Sequence, residues 1–267
     1  MRADRPSSTA ALIAAATVLL SRDHRYRHWV PEEAASICVR CLPAFWAFAA
    51  RAPLLAWAAE RATIPGLMLH FMQRKRWIEA AVRGALSRGC REMAVLGAGY
   101  DTLAARLAPE FPGVQFVEID HPATQAVKRT AVERPNLRFV AADLGQTRLA
   151  KVLPASAAPS VFVLEGLLMY LTPAQQDALF ADVRASEVVF TVMEPTAHGR
   201  IAFHNATWLE RRLLALWKEP FKSAIRREAL PPTLARWGLR LREVADLSAD
   251  DARLARGEIL VHAERAS

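Results

Sequence analysis

The chain is poor in several residue types. Its 267 residues hold three cysteines, three tyrosines, 11 glycines and only five lysines against 30 arginines. An odd cysteine count cannot close a disulfide framework. Cys38 and Cys41 form a single CxxC with no second ligand pair nearby, so they read as buried helix thiols rather than a zinc site. Nothing repeats at a fixed period, and nothing is low in complexity beyond alanine richness. There is also no apolar run of the roughly 18 residues a bilayer span requires. Residues 10–20 stop short, and residues 42–59 are broken by Pro43, Arg51 and Pro53. Collagen, coiled coil, disulfide-stapled mini-domain and multi-span membrane protein are excluded, and no membrane partner is expected. Arg2 and Arg5 before the first apolar run imitate a secretion signal. However, Ser21-Arg22-Asp23-His24 stands where small residues would be cleaved. The reading is an amphipathic first helix in a cytoplasmic protein.

What is present is a globular composition. With 52% hydrophobic and 23% charged residues, the chain can bury one large core or two modest ones. The formal charge of +8 is almost wholly guanidinium, and the arginines are scattered over many elements. Nucleic-acid binding would gather them with aromatics on one face. No nucleic-acid partner is expected; an anionic small molecule uses such charge equally well. Oligomeric state is not legible.

From Met93 onward, short apolar runs alternate with helical patterns. The runs are 93–96, 114–119, 137–140, 160–164, 188–192, 239–243 and 258–262, with helices at 103–108, 122–132 and 173–184. Strands joined by helix-length crossovers make a parallel sheet. The expected fold is therefore α/β, a seven-stranded, mostly parallel, doubly wound sheet. Residues 1–70 read as a helical N-terminal cap and 71–267 as the sheet domain. Within the latter, the long connection 195–238 reads as a helical lid.

Open parallel sheets bind ligands at the carboxyl ends of their strands. After the first strand comes Gly97-Ala98-Gly99-Tyr100-Asp101-Thr102, whose glycines permit a tight turn and a close ligand. Asp120 follows the second strand, 23 residues past Gly97, where an acid bonds ribose hydroxyls; it also suits the cap of a helix starting at Pro122. Asp143-Leu144, Glu165-Gly166 and Glu194-Pro195 end the next three strands. Thr102 replaces the third glycine of the dinucleotide fingerprint, and four crowded carboxylates would repel a pyrophosphate. They suit the cationic cofactor S-adenosylmethionine. The same crowding predicts that neutralising Glu165 leaves the ligand-free protein equally or more stable, unless a buried arginine partners it.

Leu96-Gly97-Ala98-Gly99-Tyr100-Asp101-Thr102, Glu118-Ile119-Asp120-His121-Pro122, Ala142-Asp143-Leu144 and the stretch from Glu165 to Pro173 together resemble the leucine carboxyl methyltransferase family. The resemblance spans roughly residues 70 to 205 and implies a class I methyltransferase fold, Rossmann-like, with S-adenosylmethionine as cofactor. It implies Arg74 (or Arg76 in the same run) on the cofactor's carboxylate, Gly97 and Gly99 beside its methionine part, and Asp101 among the cofactor-binding residues. It further implies Asp120 on the ribose, Asp143 and Leu144 on the adenine, and Glu165 facing the amino-acid end. The first helix offers no basic residue, Leu103 stands where many relatives have Arg, and the N-terminal segment barely matches.

The expected activity is O-methylation of a carboxylate on a small molecule or peptide. Methylation of a phenol or alcohol is the alternative, with His198 or His204 as base. A nicotinamide-dependent dehydrogenase and a catalytically silent sensor are the rivals. Arg200, His204 and Tyr170 are the expected catalytic and acceptor-binding residues, with Trp208 closing the apolar side. No metal is expected.

Overall fold

Apolar runs of five to eight residues after Met93 form one seven-stranded sheet. Its strands are β1 (Glu92–Leu96), β2 (Gln115–Asp120), β3 (Leu137–Ala141), β4 (Ser160–Leu164), β5 (Glu187–Met193), β6 (Leu239–Ala245) and β7 (Glu258–Arg265). Their order is β3-β2-β1-β4-β5-β7-β6. The first five are parallel, and β7 runs antiparallel between β5 and β6. The computed structural model describes residues 6–210, 212 and 219–266. All seven expected strands are present. The last two run two and three residues further than expected, because charged side chains extend the hairpin: Arg240 and Arg242 pair with Glu264 on the solvent side. Charges on an edge strand also discourage pairing with another sheet.

Strand side chains alternate between the two faces, so each strand feeds two cores. Met93 and Val95 of β1 pack under α1 (Ser8–Arg22), α2 (Glu32–Cys41), the second half of α5 (Leu67–Ser87), α6 (Leu103–Glu110) and α7 (Pro122–Ala131). Ala94 and Leu96 face the opposite core. That core holds α8 (Leu149–Val152), α9 (Pro173–Asp182) and α10 (Leu230–Arg236). Helix α9 starts sharply because Thr172 and Gln175 form a reciprocal capping box with Pro173 in the first turn. Two short helices, α3 (Ala44–Ala49) and α4 (Pro53–Thr63), complete the N-terminal layer, and α11 (Leu247–Asp250) precedes β7. Cys38 and Cys41 are buried thiols, and burial pushes Cys38 up to about 12.

Two expectations about organisation change. Helix α5 is uninterrupted for 21 residues. Its first half packs in the cap core through Leu67, Met68, Phe71 and Met72, and its second half packs on the sheet through Ile78, Val82 and Ala85. The division expected at residue 70 thus falls inside a helix shared by both layers. The end of the 195–238 connection also belongs to the sheet: Leu230, Leu234 and Trp237 sit in the second core, with Trp237 stacked on Phe180 at 3.8 Å.

Candidate functional site

The strand order reverses between β1 and β4, and there a cavity of about 330 Å³ opens at the carboxyl ends of the parallel strands. The turn after β1 makes its floor. Gly97 and Gly99 take left-handed backbone angles, with φ of +71° and +51°. A Cβ on Gly97 would meet Leu167 at 2.9 Å, and one on Gly99 would meet Ala10 of α1 at 3.1 Å. These glycines therefore serve the packing as well as the cavity they line. Asp120 ties the turn to β2: its carboxylate accepts the Gly99 N–H at 2.6 Å and the His121 N–H at 2.5 Å. Each oxygen keeps a lone pair, and burial outweighs both bonds to raise its pKa. Asp120 does not cap α7; His121 does, accepting the Ala123 N–H through Nδ1. Asp143 and Leu144 line the cavity after β3, with Asp143 accepting the Gly145 N–H at 2.9 Å.

Beside this floor lies a lattice of ions. Arg74 is buried, with its Nη1 at 3.0 Å from both oxygens of Glu258 and its Nε and Nη2 at 3.0 and 2.8 Å from Glu165. Lys75 bridges Asp101 at 2.6 Å and Glu165 at 3.1 Å. Burial opposes the charge on Arg74, Lys75, Asp101 and Glu258, yet the partners win. Arg74 and Lys75 are held above their ordinary values by their carboxylates, and Asp101 is held well below its own, chiefly by Lys75. Glu258 is held down to about 2, against its burial, by Arg74 above all. Arg74, expected on a ligand carboxylate, lines the cavity with its guanidinium already paired to Glu165 and Glu258. Glu165 lines the cavity and is held in place there by the buried Arg74 and by Lys75. Arg76 is exposed, stacked over Trp29, and does not line this cavity. Lys75 was missed, although it stands beside Arg74 in the same run: two adjacent residues of a helix face different directions, and the sequence does not say which reaches the sheet.

The other wall comes from the cap and the long connection. Tyr170 lines the cavity, and its hydroxyl donates to Thr9 Oγ1 at 3.3 Å. Thr9 Oγ1 donates in turn to Glu219 at 2.5 Å, and Glu219 also accepts the Ser8 and Thr9 N–H groups at the start of α1. That carboxylate fastens the long connection to α1 at a favourable helix N-terminus. Ile13, Phe71, Phe203 and Phe221 make this wall apolar, and the exposed side chain of Lys222 reaches its edge. Among the described residues Lys222 has no ion-pair partner. Arg200 and His204, expected here, lie elsewhere. Arg200 is exposed at the end of a turn closed by the Thr196 N–H on its carbonyl at 2.8 Å. His204 packs over Gly257, its Nε2 at 3.0 Å from the Glu194 carbonyl. Glu194 is absent from the cavity lining, and Trp208 is exposed under the Arg212 guanidinium. Glycine turns on either side, at 199 and 257, fold these residues back onto β7.

The charge of the cavity tests the cofactor that the sequence implied. Six carboxylates line it (Asp101, Asp120, Asp143, Glu165, Glu210 and Glu219) against three cations, Arg74, Lys75 and Lys222. A cavity with a surplus of negative charge, in a chain of formal charge +8, fits a ligand carrying sulfonium and ammonium groups. It does not fit a pyrophosphate, so the dehydrogenase reading fails on electrostatics.

Comparison with known proteins agrees. The sequence profile of the leucine carboxyl methyltransferase family matches residues 10–184. A curated protein of Mycobacterium avium is 37% identical over 122 residues, and one of Mycobacterium marinum is 35% identical over 159. Both bear the provisional name S-adenosyl-L-methionine-dependent methyltransferase. The aligned stretches cover 42 and 55% of this chain, and 38 and 51% of those proteins. The chain thus matches about half or less of each relative's length. Among solved structures, an O-methyltransferase family protein from Burkholderia thailandensis superposes with a TM-score of 0.53 at 13% identity. That match covers 93% of this chain and 64% of the other, and it shows the shared class I methyltransferase fold.

Proposed function

The chain belongs to the leucine carboxyl methyltransferase family, and from that premise we propose that it is an S-adenosylmethionine-dependent O-methyltransferase acting on a carboxylate of a small molecule or peptide. When bound, the cofactor supplies a methyl group made electrophilic by its sulfonium. Asp120 offers its remaining lone pairs to the ribose hydroxyls, and Asp143 with Leu144 flanks the adenine. Gly97, Gly99, Asp101 and Glu165 border the methionine part. Arg74 acts on that part through Glu165, which it orients, rather than as the cofactor's own ion pair.

The observation that carries the carboxylate reading is the position of one cation on the cap wall. Lys222 reaches that wall without an ion-pair partner among the described residues, and it is suited to hold an anionic acceptor. The two histidines that would serve a hydroxyl acceptor are both exposed, and neither lines the cavity. A carboxylate needs no base, being ionised at neutral pH. Ile13, Phe71, Phe203 and Phe221 surround it with apolar surface, and stripping water from an oxyanion favours its attack on the methyl carbon.

Methyl transfer from labelled cofactor to a panel of carboxylic acids, phenols and alcohols tests this. The expected product is an ester whose label is released by mild alkali. Lys222→Ala is expected to raise KM for the acid about tenfold with little change in cofactor affinity. Alkali-stable label, meaning an ether product, would sink the carboxylate assignment.

A further inference from the structure

Eight large apolar side chains stand exposed among the described residues, and four of them fall between positions 45 and 55. They are Phe45 (72% exposed), Phe48 (70%), Leu54 (85%) and Leu55 (71%). Phe45 and Phe48 are three apart on α3 and so share a face; Leu54 and Leu55 open α4, just past the intervening turn. Val39, at the end of α2, adds a fifth. None of these residues lines the cavity described above. Scattered exposed apolar residues are ordinary; a cluster of this kind marks a contact surface.

Charge identifies what it contacts. Between Glu33 and Glu60 the sequence has no acid at all. Glu60 itself is buried and accepts the Met68 N–H. The outward charges of this region are Arg40, Arg51 and Arg61, all exposed and without ion-pair partners among the described residues. A second copy docked face to face would set guanidinium against guanidinium with no carboxylate to relieve it. The complementary surface is one that offers hydrocarbon and negative charge together.

We infer that the α3–α4 hairpin docks on an anionic lipid bilayer, Phe45, Phe48, Leu54 and Leu55 entering the boundary of the acyl chains while Arg40 and Arg51 meet headgroup phosphates. The chain's formal charge of +8 adds attraction in the same direction. This revises the expectation of no membrane partner, which rested on the absence of a spanning run. No helix among the described residues is long and apolar enough to cross a membrane, so the relation is docking at the surface. The hairpin also leads to the cavity: Thr63, the last residue of α4, and Ile64 after it both line it. The long connection is tied to the same place, with the Thr207 N–H donating to the Thr63 carbonyl at 2.8 Å and its hydroxyl to the Ala62 carbonyl at 2.6 Å.

Cosedimentation with phosphatidylcholine vesicles, with and without about one-third phosphatidylglycerol, tests the inference. The wild-type chain is expected to bind the anionic vesicles at least about tenfold better, and to be released by salt. Arg40→Glu with Arg51→Glu should abolish the preference for the anionic vesicles. Phe45→Ser, Phe48→Ser, Leu54→Ser and Leu55→Ser combined in one variant (the serine variant) should abolish binding, with the thermal midpoint and cofactor affinity unchanged. The inference is overturned if the wild type binds neither vesicle, or if the serine variant binds as well as the wild type. It is equally overturned if light scattering finds a dimer that the serine variant breaks, since the face would then join two copies.

Discussion

One wall of the cavity is lined by Gly97, Gly99, Asp120, Asp143 and Glu165, each within a few residues of the end of a strand. The other takes Thr9 and Ile13 from α1, Phe71 from α5, and Phe203, Glu219, Phe221 and Lys222 from the connection after β5. The strand-tip wall is anchored because each residue follows or ends a strand bonded into the sheet, and Glu165 closes on Arg74 and Lys75. The cap wall is held by a few polar contacts between distant segments, chiefly Glu219 at the start of α1.

Breaking the ion lattice should have the largest effect. Arg74→Ala leaves Glu165 and Glu258 facing each other in the interior, and removing one partner of a buried pair costs about 3–5 kcal/mol. The thermal midpoint of the ligand-free protein should fall steeply, and Arg74→Lys should recover part of the loss. Acid sharpens the same point. Because Glu258 is depressed from its ordinary 4.5 to about 2, its stabilising contribution is complete above about 4.5. It is lost as the pH falls toward 2. In Arg74→Ala the loss should begin at higher pH, which an acid titration followed by circular dichroism would detect.

Glu165→Gln comes next. Crowded carboxylates predicted unchanged or improved stability, but Arg74 and Lys75 reverse the sign. A loss of about 2 kcal/mol in the ligand-free protein is expected, together with weaker cofactor binding by calorimetry. A stable variant would mean that the lattice tolerates the vacancy and that charge repulsion dominates after all. The smallest effect belongs to Arg200→Ala. Arg200 is exposed and outside the cavity, so stability should stay within about 0.5 kcal/mol and methyl transfer should be unchanged. Collapse of turnover would return Arg200 to the acceptor and require the connection to close over the cavity.

Legibility followed this division. Strand tips can be located from apolar runs alone, and the residue after a strand stands at the mouth of the sheet; Gly97, Asp120, Asp143 and Glu165 accordingly line the cavity. Glu194 satisfied the same rule and failed. The Glu194 N–H bonds the Gly257 carbonyl, which prolongs the β5–β7 ladder past Met193, and residue 194 does not line the cavity. Arg200 ends the turn that starts at Thr196 and His204 packs over Gly257, so neither lines the cavity. Thr9, Glu219 and Lys222 carried no local signal: a threonine in an alanine-rich helix and a glutamate before Pro220 look ordinary until the fold sets them side by side.

The sequence by itself determined the seven strands, the glycine turn after β1, the acids at three strand ends and the surplus of arginine. These are local properties: the strand period, the need for positive φ, and the identity of the next residue along the chain. Only the tertiary structure decided that Arg74 is saturated by Glu165 and Glu258, residues 91 and 184 positions away, or that Glu219 closes on α1. An ion pair depends on distance in space, and two residues separated by hundreds of positions meet only when the sheet order and the path of the connections bring them together.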